Sequence, residues 1–172
     1  MEPVFINKFK HTKENYIEMN KKYSAFIIYF LGSLIFIFYS VMALIYFLNS
    51  YNYIVSVLIA LVGVLFSAYP HIRIYIIAKR REKIFFELYG KIPEGQTHFF
   101  NDHIFSFSET DKAELNIEYE KIKKVKQSKN LYLLILNKKI VIFIDKSRFE
   151  KGTCEEFEKF IKEKALNAKI KL

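Results

Sequence analysis

The stretch AFIIYFLGSLIFIFYSVMALIYFL, from Ala25 to Leu48, contains no charged residue. After four more residues, YIVSVLIALVGVLFSAYPHI, from Tyr53 to Ile72, again lacks Lys, Arg, Asp and Glu. A helix rises about 1.5 Å per residue, so each stretch can cross a hydrocarbon layer of roughly 30 Å. Backbone groups in lipid must be hydrogen-bonded within their own segment, so both stretches are expected to be helical spans, at 25–48 and 53–72. The short connection, Asn49 to Asn52, predicts an antiparallel hairpin with both chain ends on one side of the membrane.

Basic residues predict which side that is. The connecting loop has no Lys or Arg, whereas both flanks of the hairpin are basic. The flanking residues are Lys8, Lys10, Lys13, Lys21 and Lys22 before it, and Arg73, Lys79, Arg80, Arg81 and Lys83 after it. Basic flanks remain in the cytoplasm, so we expect a multi-pass protein of the cell membrane with both termini cytoplasmic. A secretory signal peptide is the alternative for the first span, but the apolar run is too long for one and a second span follows at once.

Composition limits the classes of partner. The chain has 172 residues and a formal net charge of +9, but acidic residues are interleaved with the basic ones along 121–171. A basic face beside anionic lipid accounts for this charge, and it is favoured over nucleic-acid binding. Cys154 is the single cysteine, which excludes an intramolecular disulfide and suits a cytosolic domain.

The arm over residues 1–24 contains a strand and the start of a helix. VFINKF, from Val4 to Phe9, alternates apolar and polar residues as a strand does. A strand this short gains stability only by pairing, so we expect it to join the sheet of the tail domain. The hairpin would then be an insertion into that domain. Thr12 is the predicted N-cap of a helix that runs from Lys13 into the first span.

The second span is expected to lead into a linker helix over residues 73–92. Its predicted apolar stripe consists of Ile77, Ile84, Phe85 and Leu88. Pro93 and Gly95 are breakers that are expected to separate the helix from the tail.

The tail, residues 95–172, changes to a period of two. Strands are predicted over 97–101, 103–108, 114–119, 122–127, 131–136 and 140–144. A helix follows from Cys154 to Lys164, with Thr153 as N-cap and Phe157, Phe160 and Ile161 on one face. We therefore predict an α+β membrane protein: a transmembrane hairpin plus a cytoplasmic pleckstrin-homology-like (PH-like) half-barrel capped by the C-terminal helix.

Four tail segments carry a family resemblance. They are FFNDHI at 99–104, YEKIKKV at 119–125, the apolar strand at 131–136 and FIDKSRF at 143–149. Together with the N-terminal strand and two close spans, they resemble the YcxB-like family of bacterial membrane proteins. Asp145 stands where that family usually has proline. The resemblance implies a PH-like domain in the tail, and it supplies no catalytic residue.

Residues with catalytic or metal-binding chemistry are few. His98 and His103 would lie near each other across a predicted turn, but a metal site needs three or four ligands, so solvated side chains are favoured. His71 lies at the end of the second span, where an interfacial anchor is favoured over a proton relay. Cys154 at a helix N-terminus would need a nearby base to act as a nucleophile. We expect no catalytic residue, no metal and no cofactor.

Two basic groups are the candidate contact residues. The first group, Arg73, Lys79, Arg80, Arg81 and Lys83, is expected to contact anionic lipid. The second group, Lys121, Lys123, Lys124 and Lys126, is a candidate for headgroup or partner contact. A solvated edge strand is favoured over such contact for this second group, because lysines on an edge block unwanted strand pairing.

The expected function is that of a membrane-anchored cytoplasmic PH-like binding or scaffold module at the inner leaflet, without catalytic activity. One alternative is a membrane immunity or resistance factor against a toxin or bacteriocin, and another is a subunit of a larger membrane assembly. The expected partners are the bilayer, anionic headgroups and a membrane or cytoplasmic protein. Self-association is left open, and nucleic acid is not expected.

Overall fold

A computed structural model of the chain describes residues 2–50, 52–108, 112–137 and 140–172, apart from the side chains of residues 24–28 and 50. The chain forms two compact units. One unit combines Met1–Lys22 with Arg80–Leu172, and the other is Tyr23–Lys79. Tyr51 of the predicted loop and residues 138–139 between the last two predicted strands lie outside the described residues.

The unit Tyr23–Lys79 consists of the apolar parts of two long helices, α1 (Lys13–Ser50) and α2 (Tyr53–Tyr89). By length and composition, the stretches Tyr29–Asn49 and Tyr53–Tyr89 can cross a membrane. Only 6% of the first and 11% of the second apolar window is buried, whereas a core helix of a soluble protein is mostly buried. Two candidate membrane spans are thus present where the sequence predicts them.

Packing between the two helices of this unit depends on Gly63. A Cβ atom at Gly63 would lie 2.5 Å from the Cβ of Tyr39, which is closer than real side chains approach. The missing side chain therefore permits the contact, as small residues commonly do between helices in membranes. The helix α2 continues across Pro70.

The other unit contains two mostly antiparallel sheets and a helix near the C-terminal end. The first sheet has the strand order β4-β3-β2-β1-β8, and the second has the order β7-β6-β5-β9. The strands are β1 (Phe5–Lys10), β2 (Glu94–Phe99), β3 (His103–Ser108), β4 (Glu114–Glu118), β5 (Lys124–Gln127), β6 (Leu131–Ile135), β7 (Val141–Asp145), β8 (Phe149–Lys151) and β9 (Lys169–Lys171). A short 3₁₀ turn, Tyr119–Lys121, follows β4, and the helix α3 (Cys154–Lys164) lies between β8 and β9. The α+β class is confirmed, and the strands form two sheets.

The N-terminal strand lies inside the first sheet. β1 pairs antiparallel with β2 from Phe5 opposite Phe99 to Lys10 opposite Glu94, and its other edge pairs with β8. The prediction that the arm joins the sheet is confirmed. Residues 11–93, which include both long helices, are therefore inserted between two strand ends that face each other directly.

The strand β6 is buried on both faces, which explains its unbroken apolar sequence LYLLI. One face belongs to a group of buried side chains that we call the inner core and that includes Phe99, Val125, Tyr132, Leu134 and Phe157; Tyr132 meets the Phe157 ring there. The other face belongs to a second group of buried side chains, which we call the outer cluster and which consists of Phe9, Leu131, Leu133 and Phe143. Met19 of α1 packs against the outer cluster, so the start of α1 covers this face of the second sheet.

The helix α3 begins and ends where the sequence predicts. Thr153 caps it: the Glu156 backbone N–H donates to the Thr153 hydroxyl, and the Thr153 backbone N–H donates to the Glu156 carboxylate. This reciprocal capping box satisfies two donors that the helix itself leaves unpaired. Phe157 and Ile161 are fully buried, and Phe160 is partly buried against the inner core.

Two expectations about local structure are wrong. Gly95 does not lie in the break after the helix but in β2, where an added Cβ would clash with the Phe9 ring and the Phe107 carbonyl oxygen. The second lysine group is not on an edge strand, because β9 pairs in parallel with β5 and covers that edge.

Candidate functional site

The lysines of the basic run around β5 do not all lie on one side of the sheet. Lys124 and Lys126 extend to one side of β5, while Val125 between them is fully buried in the inner core. Lys121 precedes the strand and pairs with Glu118 at 3.3 Å. Lys123 also precedes the strand, and it is exposed. The structure therefore brings together only two of the four predicted lysines on one face.

The strand β9 adds two lysines that the sequence analysis missed. Lys169 lies opposite Lys124 and Lys171 opposite Lys126, and Ile170 is level with the buried Val125. Paired residues of neighbouring strands point to the same side of a sheet. The only signal in the sequence was KIK at 169–171, which is too short to show a period.

A fifth lysine, Lys22, comes from α1 and ends the part of that helix that belongs to the domain unit, which we call the domain portion of α1. The Lys126 ammonium donates a hydrogen bond to the Lys22 carbonyl oxygen at 3.1 Å. Burial lowers the pKa of Lys126, and the positive charges of Lys124, Lys22 and Lys171 lower it further. We call this group the lysine face; it consists of Lys22, Lys124, Lys126, Lys169 and Lys171.

Among the described residues, no carboxylate forms an ion pair with the lysine face. Within the described part of the chain, none of its five ammonium groups has a carboxylate oxygen within the 4 Å that defines an ion pair. Elsewhere in this unit, Lys8, Lys10 and Lys151 each pair with a glutamate. The lysine face thus differs from the ion-paired surface of the first sheet.

A carboxylate on α1 fixes that helix on the second sheet. Glu18 accepts hydrogen bonds from the Asn130 backbone N–H at 2.7 Å and from the Asn130 side-chain amide at 2.9 Å. Burial raises the pKa of Glu18, but these hydrogen bonds and the charge of Lys146 outweigh it, so the pKa lies below its usual value. Glu18 is therefore ionised at neutral pH and bound to the loop before β6.

The first predicted group lies along α2. Its members, Arg73, Lys79, Arg80, Arg81 and Lys83, are all exposed. The Arg81 guanidinium lies 4.6 Å from the centre of the Tyr16 ring, and Lys83 pairs with Glu87 one helical turn later. Arg81 thus joins the parts of α1 and α2 that belong to the domain unit and Lys83 is ion-paired, while Arg73, Lys79 and Arg80 are exposed.

The comparisons with known proteins bear on the tail. Residues 99–161 match the family model described as YcxB-like protein. This segment is YcxB-like. The resemblance predicted from the sequence motifs is confirmed there. The searches of the curated proteins and of the solved structures gave no match.

The YcxB-like segment begins at the last residue of β2 and ends within α3. It includes β5 with Lys124 and Lys126. The strands β1 and β9 and the helix α1 lie outside it, although they complete both sheets and the lysine face. Three of the five lysines of that face therefore come from outside the YcxB-like segment.

The histidines and the cysteine have local partners. His103 Nδ1 lies 2.7 Å from the Asp102 carboxylate, His98 lies 3.1 Å from the Gln96 side chain, and the Cys154 thiol donates to the Lys146 carbonyl oxygen. The His71 ring, in the apolar unit, lies 5.2 Å from the Tyr29 ring. Among the described residues, no group of three or more His, Cys, Asp or Glu side chains is placed to hold a metal ion.

Proposed function

We propose that the protein is a membrane-anchored, non-catalytic binding module, whose PH-like domain is held against the cytoplasmic face of the membrane and recruits or regulates a protein partner there. One observation carries this proposal. Lys10 and Glu94 are directly paired and form an ion pair, so the long apolar hairpin occupies the place of a turn between β1 and β2. A domain with a hairpin inserted in this way is attached to the membrane at two adjacent strand ends.

The attachment continues beyond the strands. Glu18 and Met19 fix the start of α1 on the second sheet, and the Lys13 backbone N–H donates to Glu82 on the domain portion of α2. The first residues of α1 and the last turns of α2 therefore pack within the domain unit. These contacts support a module whose domain is continuous with both long helices.

The PH-like part of the proposal is supported by the element order. β1 to β4 form a continuous antiparallel meander, β5 to β7 form a second one, and α3 then places Phe157 among side chains of both sheets. This order supports a PH-like half-barrel closed by a C-terminal helix, to which β8 and β9 each add an edge strand. The match of residues 99–161 to the YcxB-like family is consistent with it.

The cytoplasmic location rests on charge. Basic residues on both flanks of the hairpin, and none in its loop, favour a cytoplasmic position for both termini. A binding role is favoured over catalysis. His98, His103 and Cys154 make local contacts within the domain, whereas the basic side chains of the first predicted group, along α2, are exposed.

Topology reporters test this proposal. A reporter fused after Leu172 or before Met1 is expected to be active in the cytoplasm, and one inserted at Ser50 is expected to be active outside, because the flanks are basic. As a matched control, a lysine-rich loop at 49–52 should weaken this bias. Digestion of the domain by protease added to intact cells would contradict the proposal.

Cross-linking tests the recruiting role. The full chain, cross-linked in its native membrane, is expected to yield one enriched protein partner, and a chain with residues 25–48 and 53–72 exchanged for unrelated apolar spans should retain it. Cross-links to copies of the same chain alone would show that the module acts by self-association instead.

A further inference from the structure

Three distant segments of the chain meet at the lysine face. Lys22 ends the domain portion of α1, Lys124 and Lys126 belong to β5, and Lys169 and Lys171 belong to β9. The neighbouring strands of the same sheet are covered on this side, because Leu131, Leu133 and Phe143 lie under Phe9 and Met19. The uncovered part of the sheet therefore carries the basic residues.

Five ammonium groups on one face repel one another. Glu18, one helical turn before Lys22, forms no ion pair with any of them, and its carboxylate oxygens accept hydrogen bonds from Asn130. The Lys126 ammonium instead donates a hydrogen bond to the neutral Lys22 carbonyl oxygen. An external anion bound at this face would relieve the repulsion.

The position of Lys22 limits what that anion can be. Lys22 lies three residues before the apolar run that begins at Ala25, and α1 is continuous through both. At about 1.5 Å per residue, the Lys22 backbone lies only roughly 4–5 Å along the helix from the start of the apolar run. Headgroups occupy the first few ångströms beyond the hydrocarbon layer of a bilayer.

We infer that the lysine face binds the phosphate groups of anionic phospholipids in the same membrane that α1 enters. This inference rests on the proposed function, because it requires α1 to span the bilayer with the domain in the cytoplasm. The face is an open strand surface with four exposed lysines, which suits several headgroups in a layer better than one enclosed anion. It supplies a second membrane contact beside the hairpin, and this contact depends on lipid charge.

Lysine labelling in vesicles tests the inference. The full chain is reconstituted in phosphatidylcholine alone and in phosphatidylcholine with phosphatidylglycerol, and each lysine's reaction with an amine-specific reagent is followed by mass spectrometry. A basic residue near an anionic surface gains about 1 kcal/mol, which is about a fivefold increase in its equilibrium constant for lipid contact. Labelling of Lys124 and Lys126 should therefore slow by roughly that factor in the anionic vesicles. High salt should remove most of the difference.

Two matched double variants distinguish binding at the lysine face from an effect of the total positive charge. Lys169→Gln/Lys171→Gln removes two charges from the lysine face, and Lys159→Gln/Lys162→Gln removes two from the exposed side of α3. Only the first variant should restore the labelling of Lys124 and Lys126 in anionic vesicles. Amide exchange of β6 in both variants shows that the sheet is intact.

The outcomes distinguish the inference from the proposed function. Equal labelling rates in the two kinds of vesicle, with the domain on the accessible side and the hairpin inserted, would overturn the inference and leave the proposed function standing. A chain that does not insert would overturn both. Protection in neutral vesicles by inorganic phosphate or by polyglutamate, but not by phosphatidylglycerol, would assign the face to a soluble anion or an acidic protein and would also overturn the inference.

Discussion

Phe157→Ala is expected to lower the free energy of unfolding of the domain by about 3–5 kcal/mol, the usual cost of emptying a large buried aromatic position. Phe157 is 0% exposed. Its ring centre lies 4.9 Å from that of Phe99 in the first sheet and 5.4 Å from that of Tyr132 in the second. The ring therefore joins both sheets to α3, and its loss leaves a cavity that neither sheet can fill alone.

Denaturant titration of the full chain in detergent, followed by the circular dichroism of the domain, measures this effect. Leu166→Ala is the matched control, because Leu166 is 82% exposed and its removal should change the stability by less than about 0.5 kcal/mol. A domain has only about 5–15 kcal/mol of stability, so the two variants should differ plainly. Coincident unfolding curves would show that α3 is not a core element.

Asn7→Ala is expected to cost about 1–3 kcal/mol, because it removes both hydrogen bonds between a fully buried side chain and the backbone of the partly buried Asp145. The Asn7 side chain is 0% exposed. Its amide donates to the Asp145 carbonyl oxygen at 2.7 Å, and its carbonyl oxygen accepts from the Asp145 backbone N–H at 3.0 Å. One side chain thus makes the two hydrogen bonds that connect β1 of the first sheet to β7 of the second.

The same titration measures this variant beside Asn116→Ala, which removes an exposed asparagine from β4. The control should remain within about 0.5 kcal/mol of the unchanged chain. If Asn7→Ala unfolds together with the control, the contact between the two sheets does not depend on this hydrogen-bonded pair, and the role given to β1 is weakened.

Much of the fold follows from local sequence patterns. The helix Cys154–Lys164 was predictable to the residue, because a capping threonine, two glutamates in the first turn and an apolar face coincide there. The two long helices follow from apolar runs that no soluble surface would carry. The strands β3 and β4 follow from clear alternation, and the pairing of β1 follows from the instability of an isolated strand.

Other features depend on long-range contacts that a single segment does not encode. Asn7 occupies an inward position of β1 where the pattern calls for an apolar residue, and only the backbone of Asp145 explains it. Gly95 suggests a break in the chain, but it makes room for the Phe9 ring. β8 and β9 have three residues each, which is too short for a period to appear.

Only part of the lysine face could be predicted, because the rest of it also depends on long-range contacts. Lys124 and Lys126 stand out as a dense basic run, and their alternation with Val125 gives the correct face. Lys22 and Lys171 join them only because α1 docks on the second sheet and β9 pairs in parallel with β5. Neither event leaves a signal in the sequence near β5.

Amide hydrogen exchange of the full chain in lipid nanodiscs tests the central claim, that the apolar hairpin is inserted between two paired strands of one domain. The claim predicts that the amides from Phe5 to Phe9 that bond to β2 and β8 exchange as slowly as those of β6 from Leu131 to Ile135. Exchange at Phe5 to Phe9 as fast as at a free chain end, with β6 still protected, would contradict it, since the domain would then begin only after the second long helix.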